Sequence, residues 1–270
     1  MKSVALLSVL VVSGGLGWMV LPEAPPPFVP PETVEIAAGE VAWRPLGSFA
    51  LDGKSRTPRE MPVRVEGFSI MKYQVSRAQY AVCVSEGACE PVAAVGGHLP
   101  QTQVNWADAT AFARWYSDRT GEVWRLPSEA EWRRAAAERY GDAAPDPEAR
   151  DPGERMLAQY RSGTLLRGIA SPSLRPAGGF GVNSMGVADI SGNVWEWTTD
   201  CMENGTLNAD GTIAESEPYC WVRVAGGIHR AAIVDFVRDA SVGGCAVGLP
   251  PDHLGFRLVR EVPRARDRFF

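Results

Sequence analysis

The chain of 270 residues carries 27 Lys and Arg against 32 Asp and Glu, a formal net charge of −5. This balance provides no basic surface, which excludes nucleic acid as an expected partner. Hydrophobic residues make up 45% and charged residues 22%, which excludes a disordered chain, and 28 glycines with 21 prolines predict a loop-rich domain with little regular structure.

The first 21 residues are typical of an export signal. Lys2 precedes an apolar stretch, and small residues at 15–17 suit a signal peptidase. The stretch extends with breaks over about 18 residues, which also reaches the length that spans a membrane, so residues 1–21 are either a signal peptide or a signal anchor. Both readings place the remainder in the periplasm, soluble or membrane-associated. Residues 22–33 form a Pro-rich linker, and residues 34–270 are predicted to form one domain.

Alternating apolar residues at 63–70 predict the first strands, and capping signals then predict three helices. The predicted helices run from Ser76 to about Glu86, from Asn105 to Gly121, and from Ser128 to near Gly141. Beyond them only short strands are expected, chiefly at 222–224 and 256–262. Glu129 and Asp200 are expected to be exposed, solvated acids.

Five cysteines in an exported protein suggest two disulfides and one remaining thiol. Counting alone does not fix the pairing. We expect Cys83–Cys89, because both residues lie at the end of one short helix and its loop. We also expect Cys201–Cys220, which brackets a polar segment without an apolar anchor. Cys245 would then be a buried, inert thiol.

The segment 189–196 combines two carboxylates with a tight turn. Asp189 and Glu196 flank Gly192, which permits a sharp turn that directs several carbonyl groups inward. Such a group of oxygen atoms suits calcium. The alternative is a surface turn that binds no metal and whose tryptophans pack into the core, since it would show the same sequence pattern. The three histidines are far apart, so a zinc-hydrolase arrangement is absent.

Several segments in a fixed order resemble the formylglycine-generating enzyme (sulfatase-modifying factor) family. They cover about residues 65–260 and are found at 66–80, 104–115, 124–132, 183–200 and 255–260. The resemblance implies an α+β fold of the irregular C-type-lectin-like kind, with low regular secondary structure. It also implies a structural Ca²⁺ held by the side chains of Asp189 and Glu196 and by the carbonyl groups of Gly192 and Val194.

The active-site motif departs from this family. Oxidising members read Arg-Gly-Gly-Ser-Trp-x-Cys, with a second cysteine five residues later, whereas this chain reads Ala225-Gly-Gly-Ile-His-Arg-Ala231 and has Phe236 at the second position. Thiolates are needed to hold copper and to engage the substrate cysteine, and neither replacement supplies one. The resemblance therefore implies a non-catalytic member that lacks the active-site cysteine pair, for which we expect no catalytic residues.

The sequence thus predicts a non-catalytic extracytoplasmic binding or regulatory protein. It resembles the envelope accessory proteins of type VI secretion, which implies promotion of a membrane threonine kinase pathway through protein–protein contact. The expected partner is an envelope protein, such as the periplasmic domain of a membrane Ser/Thr kinase. The alternative is a periplasmic maturation enzyme with cysteine-independent chemistry, whose candidate residues are His229, Arg230, Asp235 and Arg238.

Overall fold

The computed structural model describes residues 28–93, 97–140, 174–227, 230–235 and 250–261. The predicted signal and the first half of the Pro-rich linker, residues 22–27, lie outside the described residues. So do four residues named above, His229, Phe236, Arg238 and Cys245. Within the described ranges, no helix is long and apolar enough to cross a membrane.

Three α-helices begin at the predicted caps. They are α1 (Arg77–Ser85), α2 (Trp106–Thr120) and α3 (Glu129–Ala136). Each begins with a reciprocal capping box, in which the cap side chain accepts from the third helical N–H and the third side chain accepts from the cap N–H. Helix α3 ends earlier than predicted, because Ala137 adopts a left-handed φ of 49°.

The strands form three small sheets. A four-stranded sheet has the order β1 (Thr33–Ile36), β6 (Phe68–Met71), β12 (Val259–Arg260) and β7 (Trp124–Arg125). A larger sheet has the order β10 (Ala231–Val234), β9 (Ile213–Gly226), β8 (Trp195–Leu207), β3 (Gly47–Leu51) and β4 (Lys54–Arg56), with β11 (Leu254–Gly255) pairing β8. The third sheet pairs β2 (Gly39–Trp43) with β5 (Met61–Val65).

The long β8–β9 hairpin is the main element that the sequence does not predict. Its strands have 13 and 14 residues, and residues 214–221 of β9 are all exposed. Such a strand lacks the apolar alternation on which strand prediction depends. Both predicted disulfides form, Cys201–Cys220 across this hairpin and Cys83–Cys89 at the end of α1.

Two clusters of buried side chains form the interior. The first lies around α1 and α2, where the ring of Phe112 contacts those of Tyr80 and Phe256. The second lies against α3 and includes Trp132 and Ile70. Val187 and Ile190 of the second cluster lie at the predicted calcium turn, and Asp189 between them in sequence is buried too. The result is an α+β architecture with few helices, as the sequence predicts.

Candidate functional site

The turn at 189–194 is strained and tightly hydrogen-bonded. Three non-glycine residues have left-handed φ values, Asp189 at 56°, Ser191 at 61° and Asn193 at 63°. Such conformations persist only where the surrounding structure determines them. The buried Gln74 amide provides this support, because its Nε2 donates to the carbonyl oxygens of Asp189 at 3.2 Å and Gly192 at 3.4 Å.

The Glu196 carboxylate lies at the centre of a fully buried polar network. Arg257 donates to it through Nε at 2.6 Å and Nη2 at 2.7 Å, and both side chains are 0% exposed. Trp132 Nε1 donates to it at 2.9 Å and Gln74 Nε2 at 2.8 Å. The charge of Glu196 is therefore neutralised and both of its oxygen atoms are occupied by protein donors, as buried charges require.

The Asp189 carboxylate is directed away from the inside of its own turn. Its Oδ2 accepts the backbone N–H of Gly178 at 2.6 Å, and its Oδ1 accepts that of Phe180 at 2.8 Å. Asp189 is 1% exposed. The carboxylate thus fixes the glycine-rich loop at 178–181 against the turn.

These contacts do not fit the calcium ion that the resemblance implies. Of the four expected ligands, the Asp189 and Glu196 carboxylates are occupied by N–H donors, and the Gly192 carbonyl accepts from Gln74. A cation at Glu196 would also lie beside the Arg257 guanidinium, whose positive charge would repel it. In the described part of the chain, no three His, Cys, Asp or Glu side chains gather as metal ligands. Calcium binding at this turn is what the resemblance implies, the hydrogen bonds of the turn argue against it, and a calcium titration decides between the two.

The strand that carries the active-site position in the resemblance is β10, which pairs with the inner part of β9. Ala231 is paired with Ala225 and is partly buried. Its neighbour Arg230 forms an ion pair with Glu129, at 3.2 Å to each carboxylate oxygen, and also donates to the Arg44 carbonyl group. The guanidinium of Arg230 is therefore held at the start of α3.

The other described candidate of the enzymatic alternative is held at a different helix. Asp235 Oδ1 accepts the backbone N–H of Trp106, the first residue of α2, at 3.2 Å. A carboxylate at a helix N-terminus interacts favourably with the helix dipole. The structure thus places Arg230 in contact with the start of α3 and Asp235 in contact with the start of α2.

Of the two acids predicted to be solvated, Glu129 is buried and Asp200 is partly buried at the start of α3, so that prediction is wrong. Glu129 is 1% exposed, and burial raises the pKa of its carboxyl group, an effect opposed by Arg230 and by the hydrogen bond from Trp43. Burial also raises the pKa of Asp200, whose Oδ2 accepts the Glu129 N–H at 2.7 Å. No pattern in the sequence indicates this arrangement, because Glu129 and Asp200 are 71 positions apart.

Three exposed side chains with apolar surface lie on the neighbouring strands β9 and β10. Tyr219 and Trp221 of β9 are 45% and 61% exposed, and Val234 of β10 is 39% exposed. The two strands are joined there, because the Asp235 N–H donates to the Trp221 carbonyl oxygen at 3.0 Å. We call these three residues the β9–β10 patch. Its only signal in the sequence is a Tyr and a Trp within an otherwise polar segment.

Comparison with known proteins matches this chain to one family. The family model described as "Sulfatase-modifying factor enzyme 1-like domain" matches residues 21–262. The formylglycine-generating enzyme of Mycobacterium tuberculosis (strain ATCC 25618 / H37Rv) is 37% identical over 122 residues, which cover 42% of this chain and 37% of that protein. The chain therefore aligns with little more than a third of that relative's length.

Two further proteins are similar over more of the chain. The "Inactive C-alpha-formylglycine-generating enzyme 2" of Mus musculus is 28% identical over 177 residues, covering 63% of this chain and 51% of that protein. The structure of PvdO from Pseudomonas aeruginosa superposes with a TM-score of 0.51 at 22% identity, covering 86% of this chain and 95% of PvdO, and shows a shared fold. The chain therefore belongs to the formylglycine-generating enzyme-like family of sulfatase-modifying factor domains, which includes an inactive homologue.

Proposed function

We propose that this protein is a non-catalytic, extracytoplasmic binding protein that acts by contacting a partner protein through the β9–β10 patch. The exposure of Trp221, at 61%, is the observation that carries the proposal. By contrast, the buried tryptophans of the described residues are at most 7% exposed, namely Trp115, Trp124, Trp132 and Trp197. Exposed Trp and Tyr side chains are enriched at the energetic centres of protein interfaces.

A non-catalytic role is supported by the residues at the position where the oxidising relatives carry a cysteine. Ala231 has no group that can hold copper or attack a substrate. The family also contains a homologue whose printed name calls it inactive. The enzymatic alternative has less support, because Arg230 and Asp235 are held at the starts of two different helices.

The proposed partner is the periplasmic domain of a membrane Ser/Thr kinase, whose pathway switches on type VI secretion. This finer proposal is supported by the sequence resemblance to accessory proteins of that system, such as TagR, and by the export signal at residues 1–21. It places the domain in the periplasm, soluble or held to the membrane by an uncleaved signal. The formal net charge of the chain, −5, is compatible with a protein partner and does not favour binding of nucleic acid.

Direct binding of the exported full-length chain to that kinase domain tests the proposal. Because truncation of an interface hot spot costs about 2 kcal/mol or more, Trp221→Ala should weaken the Kd by about 30-fold. Val123→Ala is the matched control, since Val123 is 58% exposed but lies outside the patch. Equal affinities for wild type and Trp221→Ala, or a similar loss in both variants, would contradict the proposal.

A further inference from the structure

The two disulfides differ in how accessible they are to an attacking thiol. Cys83 and Cys89 are 0% and 7% exposed and belong to the first core cluster. Cys220 is exposed and Cys201 is partly buried. Thiol–disulfide exchange requires that a thiolate approach a sulfur atom directly. Of these two disulfides, only Cys201–Cys220 includes an exposed cysteine residue that a thiol in solution can approach.

The two sulfur atoms of the accessible disulfide also differ in their surroundings. Arg223 lies opposite Cys201 in the β8–β9 register, and its Nη1 donates to the Cys201 sulfur at 3.0 Å. The guanidinium is stacked on the Trp106 ring, 3.8 Å from its centroid. Its Nε has no hydrogen-bond partner among the described residues. The positive charge of Arg223, on which the Asp235 carboxylate also acts, is therefore directed at Cys201.

From this asymmetry we propose that Cys201–Cys220 is a thiol-exchange site, which forms a mixed disulfide with a peptide or protein thiol at Cys220. Cys220 is the sulfur attacked, because it is exposed. Cys201 is the leaving group, because a thiolate is stabilised by a neighbouring arginine and a leaving thiol of lower pKa departs faster. The inference does not rest on the proposed kinase partner.

The exchange balances as follows in atoms and electrons. The incoming thiolate forms an S–S bond to Cys220 Sγ, while the Cys201–Cys220 bond breaks and its electron pair leaves on Cys201 Sγ beside Arg223. The incoming sulfur is oxidised and Cys201 is reduced. If the partner carries a second thiol, that thiolate attacks the mixed disulfide and releases Cys220. The partner then leaves with its own disulfide, having donated two electrons and two protons in all.

The surroundings of Cys220 favour a thiol on a peptide over a small polar thiol. Tyr219 and Trp221 flank it in sequence, and both are exposed. Such aromatic side chains supply apolar contact area for the residues on either side of a cysteine in a peptide. A cysteine peptide with apolar neighbours should therefore react faster than glutathione with the wild type, and this preference should disappear in Trp221→Ser.

The position of attack is tested with the full chain and reduced glutathione as the probe. Freed thiols are trapped with iodoacetamide and located by mass spectrometry. We expect glutathione on Cys220, alkylation on Cys201, and an intact Cys83–Cys89 bond that serves as the internal control. Glutathione on Cys201, an equal distribution over both sulfur atoms, or equally fast opening of Cys83–Cys89 would overturn the proposal.

The role of Arg223 is tested by the rate of the same reaction. Removal of the charge in Arg223→Gln should make the leaving Cys201 thiolate less stable and slow the exchange roughly three- to tenfold. Arg223→Lys retains the charge and should retain most of the rate. Both variants are first compared with wild type by near-ultraviolet circular dichroism. A wild-type rate in a folded Arg223→Gln variant would overturn the assignment of Cys201 as the leaving group.

Discussion

Replacement of Arg257 by methionine removes the cation that neutralises the most deeply buried carboxylate described. Arg257 makes five hydrogen bonds, two to Glu196 and one each to the carbonyl oxygens of Met71, Lys72 and Ala188. It thereby joins β6, the turn before Asp189 and β8 at a single point. In Arg257→Met, the Glu196 carboxylate keeps only the neutral donors Trp132 and Gln74.

The expected loss is large because the pair is 0% exposed on both sides. Removing one partner of a buried ion pair costs about 3–5 kcal/mol. The free energy of unfolding of an ordinary domain is about 5–15 kcal/mol, so this one substitution removes a large part of it. With a denaturant slope near 3 kcal/mol per M, the urea midpoint should fall by about 1–2 M.

Two further variants make this prediction specific. Arg260→Met removes a partly exposed guanidinium paired with Glu122 and Glu35, and a surface pair is worth about 0–1 kcal/mol. Adding Glu196→Gln to Arg257→Met removes the orphaned charge and should recover about 1 kcal/mol or more. The reasoning fails if Arg257→Met costs no more than Arg260→Met, or if the double variant is no more stable than Arg257→Met alone.

The remaining predictions concern pH, packing and calcium. The folded-state pKa of Asp200 lies above its ordinary value of 3.8, so the native protein binds the proton of the Asp200 carboxyl group more tightly than the unfolded chain does. The stability that this bound proton provides is lost as pH rises through the folded-state pKa. Asp200→Asn should therefore gain stability relative to wild type between about pH 4 and about pH 7 in urea titrations, and a constant difference would refute the burial argument. A Cβ at Gly226 would lie 2.4 Å from the Trp132 ring, so Gly226→Ala should lower stability by about 1–3 kcal/mol, whereas Gly67→Ala, with its nearest contact at 3.4 Å, should change little in thermal denaturation. Because the Asp189 and Glu196 carboxylates are already occupied, calcium should leave Tm unchanged. A rise in Tm on adding calcium that disappears in Asp189→Ala would show that these carboxylates exchange their donors for the ion.

The helix starts, the disulfides and the fold class could be predicted, because the residues that indicate each of them lie close together in the chain. The helix starts follow from a cap residue and its partner three positions later, as Ser76 with Gln79 and Ser128 with Glu131. The disulfides follow from a predicted export signal and from cysteines that bracket short segments. The α+β fold followed from motifs kept in order over most of the domain. Each of these inferences depends on residues near one another in the chain.

The network around Glu196 could not be predicted, because its members come from distant segments. Gln74 is 122 positions away from Glu196, and Arg257 is 61 positions away. A motif with two acids and a turn indicates candidate ligand oxygen atoms for a metal ion. It does not show which hydrogen-bond donors of the protein already bind those oxygen atoms. The β8–β9 hairpin was missed for a different reason, since its exposed strand lacks the apolar alternation that marks a half-buried strand.

Site-specific photo-crosslinking from position 221 in native envelopes tests the central claim, that the protein works through partner contact at the β9–β10 patch. A photoreactive side chain replaces Trp221 in the full-length exported chain, and the same side chain at Val123 is the matched exposed control. The account predicts one dominant adduct with the kinase periplasmic domain from position 221 and none from position 123. The absence of that adduct at 221, or equal adducts from both positions, would contradict it.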